Sequence, residues 1–388
     1  MIGLFCFDGP LYKDKNGIYC NVTLTDEMFS RYFRVVDKLI IMVRTYSINK
    51  TYVEMNMKPL TLKNIKIIEV KNFNTAKGFL IDKNEFEKKN KKYISEADMI
   101  FARMPSNTSN SVLKIAQKMK KPYLVEVGGC AWDSYWNHGV MGKLIAPLMY
   151  LREKKYVAGA EFATYVTKEF LQKRYPNRKV TTNCSNVYLK PVDINVLEKR
   201  ITKIESMDMK NIIVGQAVNS IDVRYKGEHL VLRAMGTLKQ KGIRIDYQVV
   251  GPGDGAFLKQ QAEIYEVKEQ LHLIGTLKKE EMFEWYQKLD VYVQPSKQEG
   301  LPRSVIEAMS VGCPALGSNL AGIPELLDSD CLFNPNNTDE IVTTILKLIE
   351  KNNLISKARI NFERAKEYNL KEIEQRRTEI FKKYKEII

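Results

Sequence analysis

The sequence predicts an α/β protein built from two doubly wound domains. Short apolar runs typical of buried strands alternate with amphipathic runs of helical period along most of the chain, which indicates parallel sheets. The length of 388 residues allows two domains with a full hydrophobic core each. We place the boundary at Pro191-Val192-Asp193 and expect an N-terminal domain (1–192), a C-terminal domain (193–368) and a last helix (369–388).

Each element follows from an apolar run and the residues that bound it. In the N-terminal domain the pattern predicts strands at 2–7, 39–44, 65–70, 97–102, 122–127, 163–166 and 186–189, with helices at 25–37, 84–95, 109–118 and 168–174. Asp8-Gly9-Pro10 is expected to end the first strand. In the C-terminal domain it predicts strands at 211–214, 247–250 and 290–293 and one from 313, and helices at 280–289, 303–311, 338–351, 354–368 and 371–387.

Composition is that of an ordinary soluble protein, with 44% apolar and 28% charged residues. No run of eighteen apolar residues occurs, and the start of the sequence lacks a basic region before its apolar run, so we expect neither a membrane span nor a signal peptide, and a cytoplasmic location. The six cysteines have no C-x-x-C spacing, which disfavours a disulfide framework or a zinc site. We interpret them as small buried apolar residues.

The net charge of +15 is unevenly distributed. Residues 1–200 contain 34 Lys and Arg against 19 Asp and Glu, residues 201–350 contain 16 against 21, and residues 351–388 contain 11 against 6. The basic N-terminal half suits an anionic partner: a phospholipid surface, a polyanionic glycan or nucleic acid. A lysine-rich solvated surface without a partner is the alternative. Nucleic acid is disfavoured because no recognised nucleic-acid motif accompanies the charge.

Two stretches of the N-terminal half stand out. The first, residues 127–143, is predicted to be a loop that follows a strand, and it places Trp132, Trp136 and His138 close together with polar side chains. Aromatic faces beside hydrogen-bonding groups suit sugar rings, although such a loop could also pack on its own aromatics. The second, residues 144–155, is an apolar stripe with basic flanks that could lie in a membrane interface or pack on its own domain, with Pro147 interrupting the pattern.

The most informative stretch is residues 294–325. An apolar strand ends before Pro295, a loop carries Glu299-Gly300-Leu301-Pro302, and a helix begins near Arg303. The free N–H groups at such a helix N-terminus suit an anion, most often phosphate. Glu307 lies on this helix among apolar residues, so its carboxylate needs partners; either sugar hydroxyls or an i, i+4 ion pair with Arg303 would provide them.

These residues carry a resemblance. The Glu299 to Glu307 spacing, the loop sequence EGLP, the run EAMSVGCPAL and the closing AGIPE together resemble the signature of family 4 retaining glycosyltransferases, which have the GT-B fold. The resemblance implies two Rossmann-like domains facing each other across a cleft, and a final helix that crosses back to the N-terminal domain. It also implies that Glu299 contacts the donor sugar, that Glu307 binds the ribose, and that Gly300, Leu301 and Pro302 hold sugar and diphosphate.

The family pattern also has an arginine and a lysine that neutralise the donor diphosphate. The lysine matches Lys226, whereas glutamine stands at the arginine position, Gln216. Arg224 is our candidate for the second cation. Without a replacement, charge on the leaving phosphate would be less well stabilised and the protein could be weakly active or inactive.

Further donor contacts follow from the same resemblance. Gly251 begins a glycine turn after a strand, and Thr276 and Leu277 belong to a loop resembling the one whose backbone meets the nucleotide base. The sequence WDSYWNHG resembles a stretch in a bacterial polysaccharide-assembly branch of the family, which makes His138 the candidate that faces the donor sugar.

The expected function is a metal-independent retaining glycosyltransferase. It would move a sugar from a UDP- or GDP-linked donor to a hydroxyl of a glycan or lipid-linked glycan, at or near the inner face of the plasma membrane, with no cofactor besides the donor. The mechanism that the family implies is front-face displacement, in which the leaving phosphate helps to deprotonate the acceptor. Two alternatives stay open: a nucleotide-sugar epimerase of the same fold, and a non-catalytic binding protein in a glycan-assembly complex.

Overall fold

The computed structural model describes residues 1–73, 75, 82–137, 139–187 and 189–388, with only the backbone of Asn84. The chain divides into two compact units. Unit 1 comprises Met1–Cys184 and Glu374–Ile388, and unit 2 comprises Ser185–Ile373. The boundaries predicted from the sequence lie after residues 192 and 368.

Unit 1 has one sheet flanked by helices. Its strands are β1 (Ile2–Lys13), β2 (Tyr19–Asn21), β3 (Lys38–Ser47), β4 (Lys58–Pro59), β5 (Ile65–Val70), β6 (Met99–Met104), β7 (Leu124–Val127), β8 (Phe162–Tyr165) and β9 (Val180–Asn183). Its helices before the boundary are α1 (Asp26–Ser30), α2 (Lys83–Glu96), α3 (Asn107–Lys118), α4 (Ala131–Trp136), α5 (Gly139–Ala158) and α6 (Phe170–Arg174). In the described part of the chain the central strands run β5-β3-β1-β6-β7-β8-β9 and are all parallel, as predicted for a doubly wound sheet.

Unit 2 is a second doubly wound layer. It contains α7 (Ile194–Ser206), β10 (Asn211–Ala217), α8 (Glu228–Gln240), β11 (Arg244–Val250), α9 (Ala256–Ile264), β12 (Leu271–Gly275), α10 (Lys279–Lys288), β13 (Val291–Gln294), α11 (Arg303–Ser310), β14 (Ala315–Ser318), β15 (Leu332–Phe333), α12 (Thr338–Leu348) and α13 (Lys351–Ala365). The strand order is β12-β11-β10-β13-β14-β15, and each neighbouring pair is parallel. All carboxyl ends of these strands therefore meet at one edge of the sheet.

The last helix, α14 (Leu370–Lys385), starts in unit 2 and continues into unit 1. Its residues Ile380, Phe381 and Tyr384 are buried in the core of unit 1. The Tyr384 hydroxyl accepts a hydrogen bond from the backbone N–H of Ile100 (2.9 Å) and donates to the carbonyl oxygen of Pro122 (2.9 Å). These contacts fix the end of the chain on strand β6 and on the segment that precedes β7.

The predicted helix at 25–37 is the short helix α1 followed by a 3₁₀ helix at Arg31–Arg34, and three further predicted elements differ from the structure. The first strand does not end at Asp8 but continues to Lys13 after a register shift between Phe7 and Leu11, because a bulge lets a strand absorb a local break. The predicted strand at 186–189 is reduced to a bridge between Leu189 and Asn369, with residue 188 outside the described residues. The last strand of unit 1 is instead β9, whose partly polar sequence VTTN gave no apolar signal.

The third difference concerns the tryptophan-rich stretch. It forms the short helix α4 rather than a loop. The backbone N–H of Ala131 donates to Glu153 Oε2 (2.9 Å) and to the Tyr175 hydroxyl (3.0 Å), so partners distant in sequence fix the start of the helix. Trp132 and Trp136 stack on each other with ring centroids 5.0 Å apart. Within the described residues, no helix is both long and apolar enough to cross a bilayer.

Candidate functional site

The predicted donor-site residues of unit 2 lie in the loops that follow four neighbouring strands. Gln216 is near the end of β10, and Arg224 and Lys226 form the short turn that follows it. The loop after β11 begins at Gly251 and the loop after β12 carries Thr276 and Leu277, while the loop after β13 leads through Glu299 to α11. Since these strands are parallel and adjacent, the four loops border one edge of the sheet, where ligands bind in such folds.

The central feature of this edge is an ion pair between Lys226 and Glu299. The ammonium nitrogen of Lys226 lies 2.6 Å from Glu299 Oε1, and the two side chains are only 14% and 11% exposed. The side-chain amide of Gln294 donates a second hydrogen bond to the same oxygen, at 3.0 Å. The pair joins the loop after β10 to the loop after β13, and it holds a cation and a carboxylate together in a largely dry place.

Gln294 connects this pair to helix α11. Its carbonyl oxygen accepts hydrogen bonds from the hydroxyl groups of Tyr292 (2.9 Å) and Ser304 (3.2 Å), and its amide donates to Ser296 Oγ (2.8 Å). Ser304 belongs to the first turn of α11, so the network fixes the helix N-terminus relative to Glu299. Neither Gln294 nor Tyr292 is among the site residues predicted from the sequence. The available signal was the presence of two polar groups in an otherwise apolar buried strand.

The loop and helix N-terminus have the geometry that the sequence predicted. Helix α11 begins at Arg303 after Pro302, which is extended and has no side-chain group to cap the first N–H groups. The carbonyl oxygen of Gly300 accepts a hydrogen bond from the backbone N–H of Gly322 (2.9 Å), which ties the loop to the AGIPE segment, and Leu301 is buried. This helix end therefore offers N–H groups and the positive end of the helix dipole.

Glu307 is half-buried on α11 and is held by Tyr286 of α10, whose hydroxyl donates to Glu307 Oε2 at 3.0 Å. Burial raises the pKa of Glu307, although Arg303 and Tyr286 act in the opposite direction. Between the described side chains of Arg303 and Glu307 no ion pair forms, so the structure lacks the surface salt bridge that was the alternative. The hydrogen bond from Tyr286 therefore fixes one carboxylate oxygen of Glu307.

Gln216 makes contacts inside the protein. It is completely buried, its amide donates to the backbone carbonyl oxygen of Lys226 (2.9 Å), and its carbonyl oxygen accepts a hydrogen bond from Tyr247. Both polar atoms of the side chain are used in this way. Gln216 therefore supports the backbone of Lys226 from below the site, and a direct contact with the donor stays a prediction.

Arg224 lies beside a second group of residues at the same edge. Its guanidinium lies over the ring of Phe257 at 4.3 Å from the ring centroid. The ring of His229 meets the same phenylalanine edge-on, with centroids 5.6 Å apart. Burial lowers the pKa of His229, and the charges of Lys297 and Arg224 lower it further. The charges of Arg224 and Lys297 thus both act on His229, and Lys297 is not among the cations predicted from the sequence.

Close backbone approach explains two glycines of the site. Gly227 has φ of +82°, and a Cβ there would press into the backbone carbonyl of Pro295, at a distance that real Cβ atoms essentially never show. At Gly251 a Cβ would lie 2.6 Å from the carbonyl oxygen of Val218. The first glycine brings the loops of Lys226 and Glu299 together, and the second packs the turn after β11 on the loop after β10.

Glu228 is a buried acid that the sequence analysis missed. It follows Gly227 at the start of α8 and is 1% exposed, and its Oε1 atom has no hydrogen-bond partner among the described residues. Burial raises the pKa of this carboxyl to about 7, with Lys226 acting in the opposite direction. This carboxyl, two residues after Lys226 in the chain, can therefore change its charge near neutral pH.

His138 lies outside the described residues, so its role stays a prediction. All six cysteines are buried and free, as expected from their spacing. Among the described residues no group of three or more His, Cys, Asp and Glu side chains could hold a metal ion. The candidate residues of the site in unit 2 are Lys226, Arg224 and two glutamates, together with the backbone N–H groups at the start of α11.

Two Rossmann-like units of parallel strands define the class of the fold, which is GT-B, and loops at one sheet edge of unit 2 carry a cation, two glutamates and a helix N-terminus. Residues 193–367 match the family model described as glycosyl transferases group 1. The chain thus resembles GT-B glycosyltransferases of the family 4 type, as its motifs predicted.

Relatives of known sequence agree with this match. The chain is 29% identical to protein CapJ of Staphylococcus aureus over 396 residues, which covers 99% of the chain and 96% of CapJ. It is 33% identical to the amylovoran biosynthesis glycosyltransferase AmsK of Erwinia amylovora over 110 residues, or 26% of the chain and 27% of AmsK. These matches support glycosyltransferase activity and a place in polysaccharide biosynthesis.

Solved structures share the fold at low sequence identity. Sucrose-phosphate synthase from Thermosynechococcus elongatus superimposes with a TM-score of 0.70 at 12% identity, with full coverage of both chains. HepE (Alr3699) of Anabaena, solved in complex with UDP and glucose, gives a TM-score of 0.64 at 16% identity and covers 98% of this chain and 99% of its own. Both likenesses extend over the two units and establish the GT-B fold.

Proposed function

We propose that this protein is a retaining glycosyltransferase that moves a sugar from a nucleotide diphosphate sugar to a hydroxyl of a glycan or lipid-linked glycan in cell-surface polysaccharide assembly. The observation that carries the proposal is the Lys226–Glu299 pair, 2.6 Å apart, at the strand end that leads to the N-terminus of α11. This arrangement offers a cation and free N–H groups for a diphosphate beside a carboxylate for a sugar.

Each polar group of the site has a role in this proposal. Lys226 and the N-terminus of α11 stabilise the charge that develops on the diphosphate as the bond to the sugar breaks. Arg224 supplies the second cation in place of the residue at position 216. Glu307, with one oxygen held by Tyr286, accepts hydrogen bonds from the ribose hydroxyls through the other.

The same proposal assigns Glu299 to the donor sugar. Because its Oε1 atom already accepts from Lys226 and Gln294, the carboxylate is held in one orientation and its second oxygen is free to accept from a sugar hydroxyl. The acceptor hydroxyl attacks on the face that the diphosphate leaves, and the leaving phosphate takes the proton. No protein nucleophile and no metal ion are needed in this scheme.

We propose a UDP- or GDP-linked donor, and the likeness to a protein solved with UDP and glucose supports UDP. A lipid-linked acceptor would put the reaction at the cytoplasmic face of a membrane. A non-catalytic binding role is the second candidate, because the residue at the family's arginine position, Gln216, is buried and uses both polar atoms inside the protein.

A transfer assay separates the two candidates. The purified protein is incubated with a labelled UDP- or GDP-sugar and a lipid extract from cells that assemble a surface polysaccharide. A transferase moves label into the lipid fraction, and the new bond keeps the anomeric configuration of the donor, as read by NMR. Donor binding without release of nucleoside diphosphate in any extract would favour the binding role instead.

A further inference from the structure

Helix α5 (Gly139–Ala158) carries large apolar side chains on two opposite faces. One face, which includes Ala146, Met149 and Val157, is buried in unit 1. The other is exposed, and its large side chains are between 38% and 77% accessible: Val140, Met141, Leu144, Ile145, Leu148 and Leu151. At 100° per residue this exposed set spans an arc of about 140° around the helix axis, so it forms one continuous apolar face.

Such a face is unusual on a protein surface. Helices that pack on a domain are normally polar on the outward side, and contiguous exposed apolar patches mark contact with a membrane or a partner. The buried face already supplies the packing of α5 on its own unit. The outward apolar residues therefore add nothing to the core and are available for an external surface.

The charges around this face are positive. Lys143, Lys154 and Lys155 are exposed on α5, while the helix's acid, Glu153, lies on its buried face. Just before the helix, Trp136 is 41% exposed, and the Lys143 ammonium lies 5.7 Å from its ring centroid. Lysines that extend from an apolar helix face and an adjacent tryptophan are typical of helices that lie in a bilayer interface.

From this geometry we propose that the exposed face of α5 binds an anionic lipid bilayer, with its apolar side chains in the headgroup boundary and its lysines on the phosphates. Charge complementarity favours lipid over a second copy of the chain, because two basic faces of this kind would repel each other. The proposal does not rest on the activity of unit 2.

The test is co-sedimentation with vesicles at physiological salt. The wild-type protein is expected to bind vesicles of phosphatidylglycerol and phosphatidylcholine, and to bind pure phosphatidylcholine much more weakly. The double variant Leu144→Asp/Leu148→Asp should bind the anionic vesicles at least tenfold more weakly. The matched control is Val22→Asp/Val53→Asp, which places the same two charges on apolar residues of the same unit that are 63% and 70% exposed, and it should bind as the wild type does.

Two further measurements keep the outcome clear. Thermal unfolding shows that the double variant is folded, and its donor-induced shift should equal that of the wild type, so loss of lipid binding is separable from failure of the donor site. Sedimentation velocity gives the oligomeric state. If the double variant binds anionic vesicles as strongly as the wild type does, the proposal is wrong. It is also wrong if neither protein binds vesicles and the wild type is a dimer that the two aspartates dissociate.

Discussion

At the scale of single residues, the site depends on charges that are paired before any ligand arrives. Lys226 is bound to Glu299 at 2.6 Å, and Gln294 donates to the same carboxylate. The motif alone identified both glutamates and the lysine as candidates. It could not identify Gln294, Tyr286 or Glu228, because their roles depend on neighbours that are 5 to 21 residues apart or on burial alone.

Replacement of Lys226 tests its role in charge stabilisation. In Lys226→Ala the diphosphate loses a cation in a nearly buried place, so we expect kcat/KM for sugar transfer to fall by roughly 10² to 10³. The matched control is Lys239→Ala, which removes a half-exposed lysine of α8 that lies 3.9 Å from Glu266, and it should retain wild-type activity. Steady-state kinetics of both variants provide the comparison, and equal activity of Lys226→Ala would exclude this role.

At the scale of elements, the sequence predicted those that local patterns specify. Strands β10, β11, β13 and β14 and helix α11 lie close to their predicted positions, because apolar runs, Pro302 and Gly312 mark them, whereas β12 and β15 were not predicted. Helix α4 was wrongly predicted to be a loop, since Glu153 and Tyr175 fix its start from elsewhere in the chain. The apolar stripe at residues 144–155 was visible in the sequence, with membrane contact and packing on its own domain as alternatives, but only the structure shows which face of α5 is covered.

Gly227 tests the contact between two of these loops. A Cβ at this position would meet the backbone of Pro295, and its φ of +82° disfavours any side chain. In Gly227→Ala the loops of Lys226 and Glu299 must separate, so we expect the stability of unit 2 to fall by about 1–3 kcal/mol and donor affinity to fall with it. Urea unfolding and donor titration measure the two effects.

The control is Gly242→Ala. Gly242 also has a positive φ, of +78°, but no atom lies within 4 Å of the position of its Cβ. The Gly242→Ala variant should lose about as much stability as Gly227→Ala because of backbone strain, but it should keep the donor affinity of the wild type. If the two variants had the same donor affinity, contact between the loops would not matter for binding.

At the scale of the whole molecule, unit 1 contains a buried cluster of charges. Glu126 on β7 lies 3.0 Å from Arg103 on β6 and 3.4 Å from Arg31, and the Tyr32 hydroxyl donates to it at 2.9 Å. Arg377 of α14 also acts on this carboxylate. The cluster therefore links strands, the N-terminal helical segment and the last helix, which no local sequence pattern could have shown.

This cluster predicts acid sensitivity. Burial opposes ionisation of Glu126, but Arg31 and Arg103 outweigh it and lower the pKa of this carboxyl to about 2. A depressed pKa gives stability that is present above the ordinary value of about 4.5 and is lost as the pH falls towards 2. We expect the free energy of unfolding, measured by urea titration, to fall by about 2–3 kcal/mol across this pH range.

The variant Glu126→Gln tests the assignment. It should be less stable than the wild type at pH 7, because two guanidinium groups lose their counter-charge, but its stability should change less between pH 5 and 2. Glu161→Gln, on a partly exposed carboxylate paired with Lys179, should keep the wild-type pH dependence. An unchanged pH slope in Glu126→Gln would show that other carboxylates cause the acid sensitivity.

The central claim is that unit 2 binds a nucleotide diphosphate sugar through Glu307 and Lys226. The most direct measurement is thermal unfolding with UDP-, GDP-, ADP- and dTDP-sugars, with and without EDTA, because a ligand of the native state must raise its midpoint. We predict that the unfolding midpoint rises with the sugars of one nucleotide family and that EDTA does not change this rise. The variant Glu307→Ala should abolish the rise, whereas Glu284→Ala, which removes an exposed glutamate of α10, should retain it. No rise with any donor, or an equal rise in Glu307→Ala, would contradict the claim.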